Sequence, residues 1–365
     1  NGEGTKEVFA RTDPGWALTK AGNLIKYAAG NLRAHYLDID ADGALDAHIL
    51  IEANALTNIV LYSRDYTNAA WVKSNITAAK DQTGMDGTTN GASSLLATAG
   101  SSTATVKQSI TLGSSSRLQS VYIKRLVGTG AIDMTTDNGA TWTDVTPVGT
   151  GWQRVSIPAQ TVTNPVVGLR IRVDTDKIAV DFTQNETGPC LSMPLATTTG
   201  AVGRAGDSLY YSWGQTPIVP TFYLKFVELG NILISSGRLL VVGDSSFAAP
   251  YLLVQDNGSG KYRVAHNNNG GGATVVSDGT VGPVSGNVVE VVGILNADGS
   301  VQQLQTIGGV SSTNGTASAA NALAAAWAVQ KLYVGAPDGN GGPFAVRRLL
   351  VVRGAHTMAE MQAVL

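Results

Sequence analysis

The sequence predicts an all-β protein, and three observations carry that reading. Charged residues make up 14% of the 365, well below the usual share of about a quarter, while glycine fills 43 positions. Apolar and polar side chains alternate with a period of two, as in 169-LRIRVDTDKIAVDF-182. There Leu169, Ile171 and Val173 share one face, and Ile178, Val180 and Phe182 repeat it after the turn at 174–177. Asn, Asp and Gly cluster between such stretches and supply the positive φ angles that tight turns need. Little charge with abundant Gly, Ser, Thr, Val and Ala describes strands joined by turns; it argues against a helical protein and against charge-driven disorder.

The expected architecture is two antiparallel β-sandwich domains of the jelly-roll kind, behind an N-terminal lead-in and ending in a short helix. A chain of 365 residues suits about two domains, each with its own core. Residues 1–58 form the lead-in and docking segment. Its apolar pieces 24-LIKYAAG-30 and 48-HILIEANAL-56 read as a strand pair turned by 38-DIDADGALD-46, with 42-DG-43 as the hairpin signal. The segment has too little apolar surface to fold alone, so it is expected to lie on a neighbour.

Residues 59–204 read as the first sandwich, with strands in 118-LQSVYIKRL-126 and 152-WQRVSIP-158 and turns such as 137-DNGATW-142. Residues 205–365 read as the second. Its hairpins are 251-YLLVQ-255 with 261-KYRVA-265, and 288-VVEVVGIL-295 with 301-VQQLQTI-307. The predicted helix closes the chain: Thr357 and Glu360 form a capping box, and Met358, Met361 and Leu365 share a face. The Ala-rich run 317–329 reads equally as a helix or as a loop feeding a strand at 331–335.

The Asp-rich stretch raises a calcium question. Asp38, Asp40 and Asp42 alternate and Gly43 follows, which is how an EF-hand loop opens. Counted from Asp38, the ninth position is Asp46, but the twelfth, which must be a bidentate carboxylate, is Ile49, and Glu52 falls three residues late. The flanks read as strands instead of helices. A tight turn is the preferred reading, with calcium at Asp38, Asp40 and Asp42 as its rival.

Other chemistry is thinly supplied. With a net charge of -2 and Arg347–Arg348 as the only adjacent arginines, no basic stripe for nucleic acid is present. Apolar runs such as 322-ALAAAWAV-329 are far shorter than the roughly 20 residues that span a bilayer, so a soluble protein without membrane insertion is expected. The sequence starts at Asn1 with no apolar signal-peptide core, and N-terminal residues missing or cleaved are an expectation. Cys190, the one cysteine, can form no intrachain disulfide and reads as a packed thiol.

His35, His48, His266 and His356 are scattered without metal-ligand spacing, so no metal centre and no cofactor are expected. There is no GxSxG elbow, P-loop or GxGxxG after a strand; the glycines of 266-HNNNGGGAT-274 read as a loop. No carboxylate pair stands out for glycoside hydrolysis. The reading is therefore a protein that is not an enzyme. Sugar binding would use aromatic faces: Trp142, two residues beyond a turn, with Tyr122 and Trp213 are the candidates, while Trp71 reads as core.

Two stretches carry a resemblance. The run 49-ILIEANALTNIVLYSRDYTNAAWVKS-74 resembles the segment that leads into a carbohydrate-binding-module-like jelly roll in phage tail and head-fibre proteins. The run 194-PLATTTGAVGRAGDSL-209 resembles that family's exit, and 85-MDGTTNGAS-93 falls between them in the expected order, so the resemblance covers about 40–209. In that family an Asp-rich turn precedes the entry motif, and 38-DIDADG-43 stands in its place, which favours the turn over calcium. One departure is 186-ETGPCLSMP-194, where the family shows a Glu-containing "QLEAGxFxTSYIP" pattern, so a ligand role for that edge is left open.

The C-terminal part resembles a concanavalin-like or laminin-G-like sandwich through 221-TFYLKFVEL-229, 294-ILNADGSVQQLQ-305, 331–354 and 357–365. It lacks a calcium-binding acid cluster. Together the resemblances imply a bacteriophage virion structural protein of the spike, fibre or decoration kind, assembled in the host cytoplasm. Its implied partners are other virion proteins of capsid or tail, further copies of itself, commonly as a trimer, and host surface polysaccharide. The alternative is a free carbohydrate-binding or glycan-processing protein of a bacterium.

Overall fold

The computed structural model describes residues 7–10, 15–21, 23–29, 33–37, 46–52, 55–98, 104–187, 191–212, 220–229, 237–243, 251–256, 261–267, 275–279, 286–296, 298–308, 310–314, 331–335, 343–353 and 360. Apart from the single helical residue Glu360, their regular structure is all strand, in several antiparallel sheets. The helix predicted over 357–365 otherwise lies outside the described residues, as does the Ala-rich run 317–329. Among the described residues no helix is long and apolar enough to cross a membrane.

The chain divides into two compact units. One is built from both chain ends, residues 1–20, 27–55 and 205–365, and is called here the terminal unit; the other, residues 21–26 and 56–204, is the inserted module. Most of residues 1–58 group with the terminal unit.

The terminal unit holds two seven-stranded sheets. The first runs Glu7–Ala10, Ser208–Ser212, Lys331–Val334, Arg238–Gly243, Tyr251–Asp256, Tyr262–Asn267, Val275–Asp278. The second runs Val310–Asn314, Val301–Ile307, Val288–Leu295, Pro220–Glu228, Pro343–Arg353, Asp46–Glu52, Ala34–Leu37. Both contribute to one apolar core, in which Leu240, Val254, Val264 and Val334 of the first meet Phe222, Leu224, Phe226 and Val291 of the second. Phe222, Leu224 and Phe226 recur every second residue, so they share a face, and the Phe226 ring meets Tyr262 edge-on at 5.7 Å. Gly293 lies opposite Phe222, where a Cβ would stand 2.1 Å from the ring. Both predicted hairpins are present, pairing Tyr251 with Asn267 and Val289 with Ile307.

The predicted lead-in hairpin has a different partner. Asp46–Glu52 pairs with Ala34–Leu37, not with 24–30, because the short 38–45 connection closes an antiparallel pair with the strand immediately before it. Asp46–Glu52 in turn pairs with Pro343–Arg353, so the lead-in completes the second sheet. Asp38, Asp40 and Asp42 lie outside the described residues, between two strands.

The inserted module holds two five-stranded sheets. One runs Thr143–Asp144, Ile132–Thr135, Val166–Ile171, Ala104–Ser109, Val72–Ser74; the other runs Gln153–Val162, Ser115–Val127, Lys177–Thr187, Ala92–Ala97, Ile76–Gln82. Val106, Met134, Leu169 and Ile171 of the first share a core with Leu95, Val121, Ile123 and Val180 of the second. Tyr66 and Trp71 stack in the same core at 4.1 Å, and Trp71 is 1% exposed.

The alternation expected across 169–182 breaks in two places. The strand ends at Ile171, the chain crosses to the other sheet, and Val173 is exposed. Phe182 has φ 46° at an irregularity in the pairing of Ser115–Val127 with Lys177–Thr187. The extra residue flips the side-chain phase, so Phe182 leaves the core set of Ile178 and Val180 and packs edge-on against Tyr122 at 6.4 Å.

The two resemblance stretches pair with each other. Leu56–Asn58 and Val202–Arg204 form an antiparallel pair joining the module's entry and exit. Asn58 donates to the carbonyls of Thr183 and Leu195 at 2.9 and 2.8 Å and accepts from the N–H groups of Val60 and Asn185. On the terminal unit the same two chain passages are stapled again. Glu52 N–H donates to Asp207, Asp207 N–H donates to the Glu52 carbonyl, and Arg33 is ion-paired with both carboxylates. Burial opposes the Arg33 charge, yet Glu52 and Asp207 together hold its guanidinium above the usual arginine range. Close, tied ends are what allow one module to be carried inside another.

Candidate functional site

The first sheet of the inserted module turns Met134, Leu169 and Val106 into the core, so alternation places Asp133, Thr135, Arg170 and Lys107 on its other face. Asp133 and Arg170 are direct cross-strand partners. Asp133 is fully buried and accepts from Arg170 Nε at 2.7 Å and from Arg172 Nε and Nη2 at 2.7 and 2.6 Å. One acid thus orients two arginines, and its hydrogen bonds hold the Arg172 guanidinium above its ordinary range. The Arg172 side chain stays 45% exposed. Among the described residues, neither Nη group of Arg170 nor Nη1 of Arg172 is engaged with Asp133.

Trp142 covers this group. Its half-buried ring has the Arg170 guanidinium carbon 4.6 Å and the Lys107 ammonium 5.6 Å from its centroid. The turn before it is tied down by its own polar groups. The Thr135 hydroxyl accepts from Gly139 N–H and donates to Asp137, which accepts from Thr141 N–H, while Lys107 donates to the Asn138 carbonyl. Burial alone would raise the Asp137 carboxyl; the Thr141 N–H and the Thr135 hydroxyl hold it below the usual carboxylate range. Gly139 has φ 88° and a Cβ there would stand 2.8 Å from Trp142 Nε1, so the turn and the ring require glycine together. The result is an indole and a set of guanidinium donors fixed on one sheet face, which suits stacking on a sugar ring with hydrogen bonds to its hydroxyl or acidic groups.

The other sequence candidates do not join this face. Tyr122 stands on the opposite sheet, 5% exposed, with Phe182 against its ring and the Arg154 guanidinium 5.7 Å away. Burial pushes its hydroxyl up, and so enclosed a ring offers no face to a sugar. Trp213 lies outside the described residues. The outward charges of 170-RIR-172 are visible in the sequence, but their acid, Asp133, is far away in the chain and reaches them only through strand pairing.

Two further motif regions have structural partners. Arg64 binds Asp86 through both Nη groups and Asp181 through Nε at 2.7 Å, with its guanidinium 4.0 Å from the Phe182 centroid. This ties 85-MDGTTNGAS-93 to the sheet. Gln184 and Glu186 hold the following return: Glu186 accepts from Ser192 N–H and hydroxyl, and Gln184 accepts from Leu195 N–H. Burial raises the Glu186 carboxyl, with Arg154 and Ser192 opposing. Among the described residues, this part of the 186–194 edge holds its own chain.

No family model matches the sequence, and no curated protein matches it. Among solved structures, the N-terminal CBM22-1–CBM22-2 tandem domain of Paenibacillus barcinonensis Xyn10C is similar, with 9% identity and a TM-score of 0.26, covering 81% of this chain and 98% of that one. At that distance the likeness assigns no residue a role.

Proposed function

We propose that this chain is a non-catalytic attachment protein whose inserted module contacts carbohydrate through the Trp142 face. The observation that carries the reading is the ring of Trp142, held by a hydrogen-bonded turn beside two arginines that share the buried acid Asp133. Rigid aromatic area with pre-oriented donors lowers the ordering cost of binding. The resemblance of 49–74, 85–93 and 194–209 to phage fibre proteins supports the wider reading: a spike, fibre or decoration protein of a bacteriophage particle, bound to other virion proteins and to copies of itself as a trimer.

The test is a glycan array of bacterial surface polysaccharides read with the intact chain and with Trp142→Ala. Binding should fall at least about tenfold in the variant, equivalent to about 1.4 kcal/mol, and stay unchanged in Arg263→Ala on the terminal unit. Equal binding by both variants removes the site. Light scattering should give a closed oligomer; a monomer at high concentration removes the fibre reading. Release of reducing ends from a bound polysaccharide would turn the assignment to a glycan-processing enzyme.

A further inference from the structure

The core-facing side of Ser115–Val127 changes character along its length. Ile123 and Val121 are part of the apolar core, but the next residues in the same phase are Gln119, Arg117 and Ser115. Gln119 is 1% exposed and Arg117 is 5% exposed. Opposite Gln119 on the paired strand is Asn185, fully buried. On the other neighbour the partner of Arg117 is Gln160, whose side chain accepts from the hydroxyl of Thr136, the residue after strand Ile132–Thr135 of the facing sheet.

These groups are conspicuous for what they lack. Gln119 Oε1, Arg117 Nε, Ser115 Oγ and both side-chain polar atoms of Asn185 are buried without a hydrogen-bond partner among the described residues. Such atoms are rare in folded proteins, because each leaves its desolvation uncompensated. Among the described residues Arg117 in addition has no ion-paired carboxylate, and burial pulls its guanidinium below the usual arginine range. Elsewhere in the module the buried acids Asp133 and Asp181 meet arginines directly, whereas among the described residues no carboxylate is ion-paired with Arg117.

We infer that this polar end of the module's core is a binding site for a small oxyanion, either the carboxylate of an acidic sugar or free inorganic phosphate or sulfate. The guanidinium of Arg117 and the amide N–H groups of Asn185 donate to the anion oxygens. Gln119 Oε1 and Asn185 Oδ1 accept from a hydroxyl the anion carries or from water that accompanies it. The site is separate from the Trp142 face and stands whether or not that face binds carbohydrate.

The experiment is calorimetric titration of the full chain at low ionic strength with sodium phosphate, sodium sulfate and sodium glucuronate, with glucose as the neutral control. One saturable site should appear for phosphate and sulfate, for glucuronate, or for all three, and none for glucose. Which arm responds identifies the source of the anion. In Arg117→Met, which keeps the stem packing and removes the charge, affinity should fall at least tenfold. In Asn185→Asp an intramolecular carboxylate on the diagonal neighbour of Arg117 should abolish binding and raise the melting temperature in anion-free buffer. Thermal shifts are compared between wild type and Arg117→Met, so that the general stabilisation by excluded salts cancels. Absence of a saturable site, or equal titration of Arg117→Met, overturns the inference, as does an Asn185→Asp chain that melts lower than wild type.

Discussion

Arg33 in the terminal unit and Arg117 in the inserted module are both buried, yet their surroundings differ. Arg33 has Glu52 and Asp207 in contact, and those acids sit where the chain leaves for the inserted module and where it returns. Arg117 has polar neighbours and, among the described residues, no ion-paired acid. A buried charge met by carboxylates from distant segments holds those segments together, and removing one partner is costly. Within the inserted module Arg64 and Asp133 are ion-paired to distant segments, while Arg117 Nε and the side-chain polar atoms of Asn185 are buried without a partner among the described residues.

The comparison breaks most visibly at Arg33. Arg33→Ala leaves two carboxylates buried without their cation and should cost about 3–5 kcal/mol of terminal-unit stability, read as a lower midpoint in urea. A loss below 1 kcal/mol would mean that the staple is incidental. Arg64→Met in the inserted module should cost less, about 2–3 kcal/mol. There Asp181 keeps hydrogen bonds from Met85 and Phe182 N–H, and Asp86 is nearer solvent. Equal losses for the two variants would contradict the ranking.

The next effect is set by pH. His266 is fully buried in the terminal unit, donates from Nδ1 to the Gly299 carbonyl at 3.1 Å, and burial lowers its pKa from the ordinary 6.5. Below that pH the unfolded chain takes up a proton that the folded chain refuses, so stability is full above about 6.5 and falls with acidification toward the lower folded value. The slope is at most about 1.4 kcal/mol per pH unit, and chemical denaturation between pH 7 and pH 5 should show it in wild type and lose it in His266→Asn. An unchanged slope in the variant assigns the proton elsewhere.

The smallest effect belongs to Arg263 and Asp278, cross-strand partners joined at 2.6 and 2.8 Å with side chains 27% and 40% exposed. Arg263→Ala should cost under about 1 kcal/mol, and that loss should shrink in 0.5 M salt. A cost matching that of Arg33→Ala would show that contact geometry outweighs burial here.

Much of the fold was legible along the chain. The hairpins at 251–267 and 288–307 are local, and their turn residues and alternation announced them. The pairing of Asp46–Glu52 with Ala34–Leu37 was misassigned by one strand, since apolar content pointed to 24–30 and loop length decided otherwise. At the candidate site, Trp142 is visible from its place after a turn, while nothing in the sequence singles out Asp133, which strand pairing sets against Arg170. Phe182 read as sharing the face of Ile178 and Val180 because a single left-handed residue inside a strand has no periodic trace; it is buried, but against Tyr122.

The residue pattern by itself determined that the polypeptide becomes antiparallel sheets, where most turns fall, and which aromatic ring stands beside one, because these depend on neighbours a few positions apart. Only tertiary structure decided that residues 205–365 belong to the same unit as 27–55, that Glu52 meets Asp207, and that Arg117 is buried with no ion-paired acid among the described residues. Those outcomes rest on contacts between distant segments, where burial sets the cost of a charge and the linear order of residues carries no record of which partner arrives.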